Sequence, residues 1–226
     1  MREGDLSEGT LRHTGSADDL VLPAFQKRSQ AARDRLLEAA EREFARRGFN
    51  GAIVSDLARE ANCSVGSFYR RFKDKEALFF ALQQTIYERA SRDIDRFFDN
   101  PRRADMPLRP LFGELVVNTY RGMNAIAGYF RAFVELAHGN VGVWSRMTEL
   151  EAQQGRRLAA LVVARGHGAM SEERCWQGHL ATRAVNSFVI TNVLYRPEGF
   201  SPIDPPVVEQ IAEIFHRGMG LPHQAP

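Results

Sequence analysis

Between Ile53 and Phe72 the chain carries two apolar periods of under three turns each, separated by three or four residues. Ile53, Val54, Leu57, Ala58 and Ala61 mark the first; Val65, Phe68, Tyr69 and Phe72 mark the second. Helices this short are marginal alone, because nucleation fixes several residues for a single hydrogen bond. They hold only when packed on a longer partner, and the preceding segment supplies one. In ARDRLLEAAEREFARRGF, Leu36, Leu37, Ala40 and Phe44 recur at three- and four-residue spacing, and Gly48 stands where a left-handed stop belongs. Two short helices joined by a tight turn at Asn62-Cys63 and seated on a longer one make a helix-turn-helix.

The same reasoning extends along the chain. Ser64 is placed to cap the second short helix. Asp74 can cap a longer one running through Leu78, Leu82, Ile86, Ile94 and Phe97. After Asn100, PRRADMP interrupts the pattern; further breaks fall at 138–142, 165–171 and 196–206. No alternating apolar and polar run bounded by hairpin turns occurs. The last helix starts at Asp204 as N-cap, with Pro205 at the first helical position, where its missing N–H costs nothing. The expected fold is all-α with about nine helices. Residues 1–24, rich in Gly, Ser, Asp and Glu, read as a flexible arm. Residues 25–75 form the three-helix domain, and 76–226 a larger helical domain.

Charge is uneven although nearly balanced overall. Phe25 to Lys75 holds twelve Lys and Arg against seven Asp and Glu, net +5, which leaves net −3 for the remainder. A basic amino-terminal third suggests a module that faces nucleic acid. Cys63 and Cys175 are too few for a disulfide framework. No apolar run reaches the roughly 18 residues needed to cross a bilayer, so the expectation is a cytoplasmic protein with no membrane partner. Phosphate-cradling glycine loops, nucleophile elbows and His-Glu metal motifs are all missing, which points away from an enzyme and from a cofactor. Cys175 and His179, four apart with His167 nearby, offer two metal ligands but no clear third or fourth, and no metal site is read from them.

Residues 34–78, from RLLEAAEREFARRGF through VSDLAREA to SVGSFYRRFKDKEAL, resemble the DNA-binding domain of TetR-type transcriptional regulators. The resemblance covers about a fifth of the chain. It implies double-stranded DNA as partner, with Ser64, Val65, Ser67, Tyr69, Arg70 and Lys75 as contact positions. The residues themselves support that reading. Ser64, Val65 and Ser67 are small enough for close approach to base edges, Gly66 lets the backbone come nearer still, and N–H groups there can meet a phosphate. Tyr69 can offer its hydroxyl to phosphate. Arg70 can pair with guanine or hold phosphate, and Lys75 is placed for phosphate. Phe68 and Phe72 read as core, and Arg46, Arg47 and Arg59 as a solvated face. Where family members often carry a hydroxyl residue, this chain has Ala52, which cannot cap the second helix, a loss of typically ~1 kcal/mol. Ser55, one turn on, is the candidate replacement for its phosphate contact.

The resemblance also implies a small-molecule effector held among the later helices. Asn118, Tyr120, Phe133, Trp144, Met147, His179 and Asn186 are the candidate ligand-binding residues, combining large apolar groups with polar ones whose burial requires a partner. The composition leans towards a mostly apolar effector. Val207, Val208, Ile211, Ile214 and Phe215 on the last helix, with AVNSFVITNVLY before it, suggest a homodimer through the last two helices. The expected function is a repressor released from a palindromic operator by its effector. The competing reading is a DNA-bound scaffold that recruits a protein partner without a small effector.

Overall fold

The computed structural model describes residues 17–138, 141–195 and 201–222. Among them are nine α-helices and no strand, as the periodicity predicts. They are α1 Ala17–Gly51, α2 Val54–Glu60, α3 Val65–Tyr69, α4 Lys75–Phe98, α5 Leu108–Ala125, α6 Ala127–Ala137, α7 Ser145–Ala164, α8 Glu172–Tyr195 and α9 Pro205–Gly218. Short 3-10 turns at Pro101–Arg103 and Val141–Trp144 precede α5 and α7. No helix among the described residues is long and apolar enough to cross a membrane.

Helix α1 corrects one expectation. It begins at Ala17, so residues 17–24, assigned above to a flexible arm, are helical; the rest of that arm lies outside the described residues. A helix already nucleated extends at one hydrogen bond per residue fixed, less the one that Pro23 in its second turn cannot donate. At its far end Gly48 takes φ 70°, ψ −178°, the interruption its position predicts. Ser64 and Asp74 cap as expected, their side chains accepting the Ser67 and Ala77 N–H groups at 3.1 and 2.7 Å. Helix α2 has no side-chain cap, consistent with Ala52 at its approach.

Two apolar cores hold the helices together. The first contains Leu36, Phe44, Leu57, Phe68 and Phe79 from α1–α4 together with Tyr129, Phe130 and Phe133 of α6. The second joins Phe112 and Leu115 of α5 to Leu158, Val185, Val189, Ile211 and Phe215 of α7–α9. Burying each such side chain contributes about 1.5–3 kcal/mol. Ile211 and Phe215 therefore face their own subunit, with Phe215 against Phe112 at 5.8 Å between ring centroids. The single apolar stripe read on α9 is split by this packing: Ile214 is exposed, and Val207 and Val208 are half-buried.

Helix α6 is the element shared between the helix-turn-helix and the later helices. A Cβ on Gly128 would lie 2.1 Å from Ala45 Cα, so α6 and α1 touch backbone to backbone. The Arg131 guanidinium donates to the Ala45 carbonyl at 3.3 Å, and the Asn50 N–H donates to Glu135 Oε2 at 2.8 Å. On the other side of α6 the Tyr129 ring stacks on Phe79 of α4 at 5.3 Å. Gln83 Nε2 of α4 donates to the Tyr129 hydroxyl at 3.0 Å and to the Val143 carbonyl at 2.9 Å. Helices α7 and α8 meet as closely, since a Cβ on Gly178 would lie 2.3 Å from the Gly155 carbonyl oxygen.

Candidate nucleic-acid interface and interior cavity

The turn before α3 is built around Asn62, whose φ of 52° lies in the left-handed region that asparagine tolerates better than most residues. Its N–H donates to the Arg59 carbonyl at 3.0 Å, and the Cys63 N–H to the Ala58 carbonyl at 2.9 Å. The turn and Phe68, fully buried, set which face of α3 looks outward. That face carries Ser64, Val65, Gly66, Tyr69 and Arg70, all exposed, with Ser55 and Ile53 of the α2 entrance exposed as well. Tyr69 packs edge-on against Phe68 at 5.2 Å, which fixes its ring and leaves the side chain outward. Phe72 is buried, so both phenylalanines are core as expected.

Two predicted contacts are placed differently from the rest. Ser67 is half-buried, and its hydroxyl and carbonyl accept from Arg71 Nη1 at 2.8 and 2.9 Å. Lys75 is turned inward. Its ammonium donates to the Phe49 and Ala52 carbonyls at 2.5 and 2.8 Å and sits 4.5 Å from the Phe49 ring centroid. Burial lowers its pKa, partly opposed by the Glu135 carboxylate. Its main structural task is to tie the end of α1 to α4, because those carbonyls fall where helical bonding is interrupted. Sequence reasoning missed that inward tie and the role of Arg71; both depend on contacts across elements.

The basic residues sort by partner. Arg42 pairs with Glu60 at 2.6 Å, Arg47 and Arg59 with Asp56 at 3.0 and 2.6 Å, and Arg46 with buried Glu43. In each pair the guanidinium is exposed and neutralised, in keeping with the solvated face expected of Arg46, Arg47 and Arg59. Arg70 and Lys73, both exposed, have no carboxylate partner among the described residues. The unneutralised positive charge of α3 and its exit thus lies beside the small residues.

A cavity of about 560 Å³ lies among α4–α8. Of the seven predicted ligand-binding residues it brings together Asn118, Phe133, Met147 and Asn186. The other three lie elsewhere. Tyr120 packs on the second core, on another face of α5 from Asn118. Trp144 is 42% exposed and meets the cavity-lining Phe133 ring edge-on at 4.7 Å. His179 turns to α7, 3.9 Å from Glu151 and against the Trp176 ring. Burial and the nearby Arg183 and Arg156 guanidinium groups lower the His179 pKa.

Further lining residues include Gln83, Ile126, Tyr129, Phe130 and Gln154. Gln83 and Gln154 were missed, although a polar residue inside an apolar helical face was the available signal. Burial raises the Tyr129 pKa, opposed by its hydrogen bond from Gln83. Glu151, one turn before Gln154, is buried, and burial raises its pKa against the opposing effects of Arg183 and Asn186. Among the described residues no three His, Cys, Asp or Glu side chains gather as metal ligands.

Comparison with known proteins agrees with the geometry of α1–α4. Residues 36–82 match the family of bacterial regulatory proteins, tetR family. The chain carries a tetR-family helix-turn-helix domain. Similar proteins include the uncharacterized HTH-type transcriptional regulator YdgC of Bacillus subtilis, 41% identical over 61 residues, 27% of this chain and 31% of that one. The HTH-type transcriptional repressor Rv1474c of Mycobacterium tuberculosis is 39% identical over 76 residues, 33% of this chain and 41% of the repressor. This chain thus spans about a third of the length of the first of these relatives and about two fifths of the second. The likeness of fold extends further. The transcriptional regulator FadR of Bacillus subtilis, solved in complex with stearoyl-CoA, superposes with a TM-score of 0.61. It is 15% identical, and the match covers 81% of this chain and 97% of FadR. At this identity the similarity speaks for the fold alone.

Proposed function

We propose that the protein is a homodimeric repressor that binds a palindromic operator and releases it when a small, mostly apolar effector fills the interior cavity. The observation that carries the reading is the continuity of α6. One side of this helix lines the cavity with Tyr129, Phe130 and Phe133, and the other touches α1 through Gly128 and Glu135. An effector shifts the equilibrium between operator-competent and released forms only by its differential affinity for them. A cavity wall that is also the seat of the helix-turn-helix gives it a direct means of doing so.

The DNA contacts proposed are Ser55, Ser64, Val65, Gly66, Tyr69 and Arg70, with Ser67 and Lys75 supporting from behind. Dimerisation is supported by exposed apolar side chains on the last two helices, Trp176, Leu180 and Tyr195 of α8 and Ile214 of α9. Two copies joined there would hold their recognition helices about 34 Å apart, one turn of B-DNA. A mainly apolar effector agrees with the cavity lining and with the acyl ligand held by FadR. The same cavity speaks against the scaffold reading, for which a filled core is the natural expectation.

Fluorescence anisotropy on labelled fragments tiling the DNA upstream of the gene, repeated over a range of salt, tests the proposal. One fragment bound tightly with a steep salt slope, and lost in a Tyr69→Phe, Arg70→Ala double variant, supports it. Weak binding throughout a genome-wide selection, unchanged by the substitutions, refutes it.

A further inference from the structure

Two amide side chains in the cavity wall have hydrogen-bonding atoms left over. Gln154 of α7 is 5% exposed and Asn186 of α8 is 7% exposed, and both line the cavity. Gln154 Nε2 and Asn186 Oδ1 are buried with no hydrogen-bond partner among the described residues. An unpaired buried polar atom is destabilising, so such atoms call for a partner. The two belong to one corner, because Asn186 lies beside Glu151, which is one helical turn before Gln154. A carboxylate can only accept, so the Asn186 NH₂ is the group that can serve Glu151, and the oxygen is the atom without a partner.

We propose that Gln154 and Asn186 together select an effector bearing a neutral group that both donates and accepts a hydrogen bond, a hydroxyl or a primary carboxamide, on an apolar body. The proposal rests on the effector reading above and adds the headgroup. A hydroxyl oxygen accepts from Gln154 Nε2 while its proton goes to Asn186 Oδ1; a carboxamide divides the same two bonds between its C=O and NH₂. A carboxylate satisfies Gln154 alone, sets its charge against Asn186 Oδ1, and lies near Glu151. The arginines around the cavity do not reverse this preference. Arg89, Arg96, Arg103 and Arg146 each face a carboxylate already, of Glu41, Asp93, Glu114 and Glu149 in that order. Among the described residues, Arg121, which is exposed, is the cavity-lining arginine without such a partner.

Three probes of one skeleton separate the cases: 4-phenylphenol, biphenyl-4-carboxylate and biphenyl, titrated into the full-length protein by calorimetry at neutral pH. The phenol is expected to bind roughly tenfold more tightly than either of the others, the net worth of one to two hydrogen bonds. Gln154→Leu should abolish that advantage and leave biphenyl binding as tight or tighter. Among the described residues the Gln154 side chain makes no hydrogen bond that the fold depends on, which makes it the primary variant; Asn186→Leu, which also strips a neighbour from Glu151, is the second. Equal affinity for the three probes, or a phenol preference that survives Gln154→Leu, overturns the headgroup assignment while leaving the cavity a binding site. Tightest binding of the carboxylate, lost in Arg121→Ala, overturns it in favour of an anionic effector. No binding by any probe removes both the headgroup and the effector reading. DNA binding, measured separately, stands or falls on its own.

Discussion

Gly48 provides a sharp test of how the helix-turn-helix is fastened to the rest of the molecule. At φ 70° and ψ −178° its backbone occupies a region open essentially to glycine, so Gly48→Ala should introduce about 1–3 kcal/mol of strain. The new methyl would also lie 2.1 Å from Glu135 Oε1. That oxygen ends a flexible, exposed side chain, so it can swing away, but doing so gives up the 2.8 Å bond from the Asn50 N–H. At the surface that bond is worth about 1 kcal/mol. The expected total is about 2–4 kcal/mol, a large part of a typical domain's 5–15 kcal/mol. Urea unfolding should show a lower midpoint at unchanged slope. Glu135→Ala alone should cost about 1 kcal/mol, and the double variant should show a coupling of similar size, because the clash and the bond are removed together. A Gly48→Ala protein within about 0.5 kcal/mol of the parent refutes the backbone argument. Strict additivity in the cycle refutes the Glu135 contact.

Three further outcomes are expected. Arg70→Ala should weaken operator binding by about 1–3 kcal/mol with relaxed sequence preference if it reads guanine, or lower the salt slope by about one if it holds phosphate; anisotropy over salt and operator variants checks which, and no effect contradicts a contact. Leu180→Asp, placing a charge among the exposed apolar side chains of α8, should shift the protein to monomer in sedimentation velocity and weaken binding to a palindrome far more than to a half-site. Glu151 has a folded pKa raised above its unfolded value, so the unfolded state gives up its proton first as pH rises. Its favourable contribution is present below the unfolded pKa and is lost through the folded one. Glu151→Gln should therefore flatten the decline of stability with pH above the ordinary glutamate range, read from urea midpoints, and an unchanged slope counts against a buried carboxylate.

Much of the framework was legible because it is local. Gly48, Ser64 and Asp74 act on backbone groups within four residues of themselves, and their chemistry specifies the conformation whatever packs outside. Phe68 and Phe72 were placed inside by spacing alone. The family resemblance and its place at a helix start make Lys75 a phosphate contact; two carbonyls from the interrupted end of α1, more than 20 residues away, draw it in. His179 and Trp144 illustrate a second limit. Periodicity says that a side chain lies on a buried or half-buried face, but not whether the neighbour across it is a void or another helix. Gln154 interrupts the apolar face of Met147, Leu150, Leu158 and Leu161, which marks it as inward-facing, but nothing local says that its donor goes unmet. Its significance exists only beside Asn186.

The contact between Gly155 and Gly178 bears on how the cavity can respond to a guest. Where Gly155 meets Gly178, α7 and α8 have no side-chain layer between them to compress or slide. The wall they form is an anvil. The opposite wall, α4 and α6, presents side chains to the cavity, among them Tyr129, Phe130 and Phe133. A guest that needs more room must take it from that side, which is the side on which the helix-turn-helix rests. The two glycines would thus act as a mechanical rectifier, sending an expansion without direction of its own one way through the molecule.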